Sequence, residues 1–280
     1  MLNLIIATIC FSLSFGLIKS QLVSLPSEFV VFSRLFLACI IFFFFFKKGS
    51  FKKQFLAFIF GIIQFGVMFL CFIKAFKYLQ GNEIALLTTT TPVFVAIWAS
   101  ILGDRFRFIY IVCILLSVLG AGIIVWQNLP FNLIVKGIIL METSNCSFAL
   151  GQILWKKYVS DTSSKYMFSA YLGASLFVLP MCLYNVDINS LSVTIPQILS
   201  ILYLAIIPTG IGFWLWNRGS VCVKSSTLAI MNNLKIPFAV LFSIIIFHEK
   251  INVFNFVIGS SIILISIILL DVILKKTSNK

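Results

Sequence analysis

Apolar runs, each about as long as a bilayer is thick, follow one another along almost the whole of this sequence. A helix needs about 20 predominantly apolar residues to cross the hydrocarbon core. Runs bounded by charges or turn residues fall at about 3–19, 28–46, 54–77, 82–102, 107–126, 133–155, 166–185, 197–217, 226–247 and 253–271. The connections are short and carry turn punctuation: Lys47-Lys48-Gly49-Ser50, Gly103-Asp104-Arg105, Gln127-Asn128-Leu129-Pro130, Ser160-Asp161-Thr162-Ser163, and Asn185 to Pro196. With 61% of the 280 residues hydrophobic and 10% charged, an ordinary water-soluble globule is excluded, and too little chain remains for a soluble domain. The expected fold is an all-α integral membrane protein with ten transmembrane helices. The first run, MLNLIIATICFSLSFG, lacks the basic flank of a secretory signal and is read as a retained helix.

In a soluble chain a formal charge of +13 would suggest nucleic acid. Here the cations mark topology first, and no nucleic-acid partner is expected. Cytoplasmic loops hold the excess of Lys and Arg. With the N-terminus inside, 14 of the 21 fall on the cytoplasmic side: Lys47, Lys48, Lys52, Lys53, Arg105, Arg107, Lys156, Lys157, Lys165, Arg218, Lys224, Lys275, Lys276 and Lys280. Lys19, Lys77, Lys136 and Lys250 fall on the other side, which leaves Arg34, Lys74 and Lys235 at membrane depth. Both termini are therefore expected in the cytoplasm. The seven cysteines are scattered singly without a CxxC pair, so neither a disulfide framework nor a zinc site is expected.

The chain also resembles itself. Residues 60–104 set over 205–249 place Pro92 on Pro237 and Asp104 on Glu249 without a gap. The phrases TTTTPVFVAIWASILGDRF and NNLKIPFAVLFSIIIFHEKI share a polar cluster, a proline, an apolar run and an acid. A weaker match sets Thr8, Ser12 and Gly16 over Thr143, Ser147 and Gly151. The halves, 1–130 and 131–280, would each hold five spans. An odd number turns the second copy upside down, as in the inverted repeats of secondary transporters.

Proline in a helix removes a backbone donor and displaces the carbonyl four residues earlier, here those of Thr88 and Asn233. Such kinks survive in hydrocarbon where polar side chains or a lined cavity restore partners. Thr88 to Thr91 stand at one kink, and Asn232, Asn233 and Lys235 at the other. These matched kinks are the best pointer to a substrate site, with Pro92 and Pro237 as gating positions. An Arg or Lys at the centre of a span costs roughly 2.5–3.5 kcal/mol on insertion scales and usually faces a cavity or a partner. Arg34 and Lys235 are therefore candidate binding residues, whereas Lys74 lies close enough to a helix end to snorkel. Glu142, Asn145 and Gln152 share one helix face, expected to line the pathway. Glu142 is either a counter-ion to Arg34 or Lys235, or a protonatable coupling group. Net positive charge at depth favours an anionic group on the substrate. Trp155, Trp214, Trp216, Phe15 and Phe76 are available for stacking on a ring.

No GxxxxGK[ST] loop is present, which excludes ATP hydrolysis, and His248 has no second ligand of an HExxH site. A membrane enzyme acting on lipid would need a cluster of His, Asp or Glu near one interface, and only His248 and Glu249 are available.

The paired phrases, the glycines that follow them (Gly120 and Gly122; Gly259), Arg34 in the second run and Lys74-Ala75-Phe76-Lys77-Tyr78 at the end of the third resemble the EamA-type drug/metabolite transporters. The resemblance covers essentially the whole chain. Two departures are Asp104, where that family usually has Glu, and Arg218-Gly219 in place of an Ala-hydrophobe pair. The resemblance implies a ten-helix inverted-repeat carrier of the bacterial inner membrane that moves a small organic metabolite by alternating access. Carriers of this type take amino acids, biotin, S-adenosylmethionine or drugs, and export of lipophilic drugs is the alternative reading. A coupling proton or counter-substrate, and a monomer or homodimer, are compatible with it.

Overall fold

The computed structural model describes residues 1–79, 81–104, 108–125, 135–187, 191–247 and 252–278, and every regular element among them is helical. In chain order these are α1 (Leu2–Leu22), α2 (Ser27–Phe43), α3 (Phe51–Ala75), α4 (Gly81–Thr88), α5 (Thr91–Ile101), α6 (Phe108–Val125), α7 (Val135–Leu154), α8 (Met167–Asn185), α9 (Ile195–Val221), α10 (Ser225–Met231), α11 (Lys235–Phe247) and α12 (Val253–Ser278). Arg105, Arg107, the 127–130 connection, His248, Glu249, Lys250 and Lys280, which served above for orientation and repeat, lie outside the described residues. So does part of the connection from Asn185 to Pro196.

Among the described residues, six helical stretches are long and apolar enough to cross a membrane: α1, α3, Glu83–Ile101 (α4 and α5 together), α8, α9 and Val253–Leu270 within α12. Phe108–Ile124 is a shorter apolar helix. At the other expected positions, α2 has only 17 residues, α7 carries Lys136, Glu142, Asn145 and Gln152, and the 226–247 stretch is divided between α10 and α11. The surface is the reverse of a soluble protein's. Phe44, Phe51, Phe108 and Val253 are exposed, while Arg34, Gln64, Asn145, Gln152, Asn217 and Asn233 are buried. Such an exterior is compatible with acyl chains, and the polar groups it excludes collect inside, where they bond to one another.

The two expected kinks are breaks between helices. Pro92 stands in the first turn of α5, and Pro237 is the third residue of α11. A first-turn proline removes an NH that has no partner within the helix in any case, so ending one helix and starting another costs less than bending a continuous one. The turns at 89–90 and 232–234 separate the pieces.

Where helices meet without a hydrophobic driving force, small residues let backbones approach. A Cβ added at Gly61 of α3 would collide with the Ala170 carbonyl of α8, and one added at Gly120 of α6 would lie 2.7 Å from the Gly259 carbonyl of α12. Lys74 does not simply snorkel. Its ammonium lies 2.8 Å from the Glu28 carboxylate and ties α3 to the start of α2. The close approach at Gly61 makes a prediction: Gly61→Ala must force the backbones apart, a cost of about 1–3 kcal/mol. The melting temperature in detergent should fall, and an unchanged melt would contradict this packing.

Candidate substrate cavity

The cavity is built outward from its most expensive residue. Arg34, in the first half of α2, is 1% exposed. Its Nε and Nη2 donate to the Thr209 hydroxyl at 3.2 and 2.9 Å, and its guanidinium carbon lies 4.1 Å from the centroid of the Phe69 ring. Nη1 is buried with no hydrogen-bond partner. Arg34 lines a partly open cavity together with Phe15 of α1, Phe72 of α3, Thr88 of α4, Asn145 of α7 and Lys235 of α11.

Lys235 opens α11, and its ammonium lies 6.0 Å from the centroid of Phe148. Its backbone carbonyl accepts from Ser12 at 2.9 Å, which fixes the break against α1. Phe69 and Phe148, the rings beside the two cations, each meet Phe213 edge-on at centroid distances of 5.6 and 5.7 Å. The cations thus flank an aromatic floor. Ion pairs among the described residues join Lys74 to Glu28 and Lys165 to Asp161; neither Arg34 nor Lys235 has a carboxylate.

The α4–α5 break supplies the opposite wall. Without the Pro92 NH, the Thr88 carbonyl accepts from the Thr91 hydroxyl at 2.8 Å. The Thr90 hydroxyl lies 2.8 Å from both the Leu87 carbonyl and a Glu142 carboxylate oxygen. Asn145 completes the repair: its amide donates to the Leu87 carbonyl at 2.8 Å and to Thr90 at 3.1 Å, and its oxygen lies 3.2 Å from the Thr91 hydroxyl. At the second break Asn232 donates to the Leu228 carbonyl at 2.8 Å, and Ile236 NH reaches the Asn233 carbonyl at 3.1 Å. Asn233 donates to the Thr89 carbonyl at 3.4 Å, so the two breaks touch.

The residues singled out in the sequence therefore separate into two groups. Arg34, Lys235, Thr88 and Asn145 line the cavity. Thr91, Asn232 and Asn233 are buried and bonded around the breaks at Pro92 and Pro237. Glu142 has the Thr90 hydroxyl at one carboxylate oxygen and no ion pair among the described residues. The polar face of α7 also divides: Gln152 accepts from the Trp216 indole at 2.8 Å, away from the cavity. Phe15 lines the cavity, whereas Trp155, Trp214, Trp216 and Phe76 do not. Thr209 and the rings of Phe69, Phe148 and Phe213 went unnoticed in the sequence. The one hint was Pro208-Thr209, a polar interruption of the eighth apolar run.

The profile of the EamA-like transporter family matches residues 1–126 and 135–271. The chain belongs to that family. It is a membrane-embedded transporter of small molecules and not an enzyme. Among this EamA-like chain's relatives, the biotin transporter of Salmonella typhimurium is 32% identical over 272 residues, covering 94% of this chain and 90% of that one. The biotin transporter of Escherichia coli is 31% identical with the same coverage, and a probable biotin transporter of Pseudomonas aeruginosa is 30% identical over 94% of this chain and 95% of its own. A crystal structure 12% identical in sequence superposes with a TM-score of 0.78, covering 99% of this chain and 96% of the other, and shares the fold.

The repair of the first break is testable. Asn145→Leu removes the amide's bonds to the Leu87 carbonyl and to Thr90 while Thr90 still serves that carbonyl, and each lost hydrogen bond costs about 0.5–1.5 kcal/mol. A lower melting temperature in detergent is expected, and a melt equal to the parent's would contradict the role given to Asn145.

Proposed function

We propose that this EamA-like transporter carries a monocarboxylate with an apolar or ring-bearing body, biotin foremost, across the bacterial inner membrane by alternating access. The observation that carries this reading is a buried guanidinium with an unpartnered nitrogen, lining the same cavity as a lysine that has no carboxylate among the described residues. A cation at membrane depth is costly, and a substrate carboxylate would offset that cost in the bound state. The edge-to-face rings of Phe69, Phe213 and Phe148 offer apolar surface to a ring. Thr88 and Asn145 add polar atoms on the facing wall for a second polar group, such as the ureido carbonyl of biotin. The relatives named as biotin transporters supply the substrate, and the cavity supplies the chemistry that would hold it.

On this reading the chain forms ten spans in two inverted halves, 1–130 and 131–280, with both termini in the cytoplasm. The cation bias of the loops and the matched proline phrases support that arrangement. The contact between the two breaks, through Asn233 and the Thr89 carbonyl, suits a pathway that opens alternately as the halves rock.

The test is thermal stabilisation of the purified protein across biotin, amino acids, nucleosides, S-adenosylmethionine and lipophilic cations. A ligand at a hundred times its dissociation constant adds about 2.7 kcal/mol if it binds only the folded state. Biotin should stabilise the parent. Lys235→Ala should lose at least about tenfold in biotin uptake while still inserting, because removing one partner of a buried charge pair costs about 2–5 kcal/mol. Stabilisation confined to lipophilic cations, or uptake unchanged in Lys235→Ala, would contradict the assignment.

A further inference from the structure

A guanidinium can present a carboxylate with either of two edges: the side edge of Nε and one Nη, or the end edge of the two Nη nitrogens. Which edge is free decides where a bidentate partner sits. In this protein the side edge is taken. The Thr209 hydroxyl oxygen accepts from Nε at 3.2 Å and from Nη2 at 2.9 Å, and Phe69 covers a face of the same group at 4.1 Å. What remains is the end edge, with Nη1 buried and unpartnered.

Thr209 is itself held in place. It lies in the Ala205–Gly212 part of α9, a wide π-type turn that contains Pro208. Pro208 has no NH to give to the preceding turn, and segments of this kind recur at functional sites. The Tyr171 hydroxyl of α8 donates to the Thr209 carbonyl. Tyr171 is in turn fixed by rings on both sides, with Phe65 stacked at 4.9 Å and Phe42 at 5.5 Å between centroids. Thr209 and Tyr171 are both fully buried.

We propose that Thr209 is the positioning residue of the substrate site: by occupying the side edge of Arg34, it fixes the guanidinium so that only its end edge is offered to a substrate carboxylate. This rests on the carboxylate reading of the cavity. Thr209 touches no substrate atom, and its effect passes through Arg34. Substrates with a planar carboxylate on a flexible chain fit this geometry, because one bidentate contact sets the direction in which the rest of the molecule leaves the cation.

The experiment measures biotin uptake into proteoliposomes, with apparent KM and maximal rate separated, and biotin dissociation constants in detergent for the same proteins. Thr209→Val keeps the shape and loses the acceptor, Thr209→Ser keeps the acceptor, and each is combined with Arg34→Ala. A hydrogen bond to a charged group is worth roughly a tenfold change or more. Thr209→Val should therefore raise KM and the dissociation constant about tenfold with the maximal rate little changed. Thr209→Ser should stay within about twofold of the parent. In the Arg34→Ala background, Thr209→Val should add nothing, since the group it positions is gone.

Equal loss in the Ser and Val variants would show that Thr209 serves packing and would overturn the proposal. So would a further tenfold loss on top of Arg34→Ala, or an unaltered dissociation constant in Thr209→Val while Arg34→Ala is impaired. If Arg34→Ala itself binds biotin like the parent, the carboxylate reading of the cavity fails, and this inference fails with it.

Discussion

Hydrocarbon provides no hydrogen bonds, so each polar group that enters it must find a partner inside the protein. That constraint explains why the helices of this transporter carry Phe and Ile outward and Asn, Gln, Thr and Arg inward. It also explains why its two helix breaks are so heavily mended. At the first break, Thr91 and Asn145 supply the donors that the chain has lost at Thr88 and Leu87. At the second, Asn232 and Asn233 do comparable work, and Asn233 reaches across to the Thr89 carbonyl of the first. The carbonyls at the breaks are served by these donors, although the side-chain oxygens of Asn232 and Asn233 are buried without a partner, and the breaks leave Thr88 and Lys235 on the cavity wall.

Among the buried polar atoms of the described residues that lack a partner, Arg34 Nη1 is the one that belongs to a cation. Arg34 is given two bonds, to one hydroxyl, and an aromatic face, yet Nη1 is left without a partner. Lys235 lies near an aromatic ring, with no carboxylate among the described residues. On the proposed reading, the two cations without a carboxylate among the described residues receive a negative group from the substrate, and the nearby aromatic rings meet an apolar or ring-bearing body. Biotin, in the names of the relatives, has both features.

Much of this was legible in the sequence, for a physical reason. Charge and proline are conspicuous in an apolar run, so Arg34, Lys235, Pro92 and Pro237 could be singled out without any structure, and the cavity contains both cations. Hydroxyls are cheap in a membrane helix because they bond back to their own backbone, as Thr88 does to Ala85. One more threonine therefore carries little signal, and Thr209 was invisible until the fold placed it beside Arg34, 175 residues earlier in the chain. Separation in sequence likewise hid the Phe69–Phe213–Phe148 contacts among 31 phenylalanines. The partners of Glu142 and Lys74, Thr90 and Glu28, also come from other parts of the chain.

The central claim is that the cavity recognises a carboxylate by its charge. Its most direct test is competition against labelled biotin uptake in proteoliposomes, comparing unlabelled biotin with biotin methyl ester. The ester preserves the rings and the chain and removes only the negative charge. Competition by biotin, with the ester weaker by at least about tenfold, is the result this account predicts. Equal competition by acid and ester would contradict it, and would place recognition in the ring system alone.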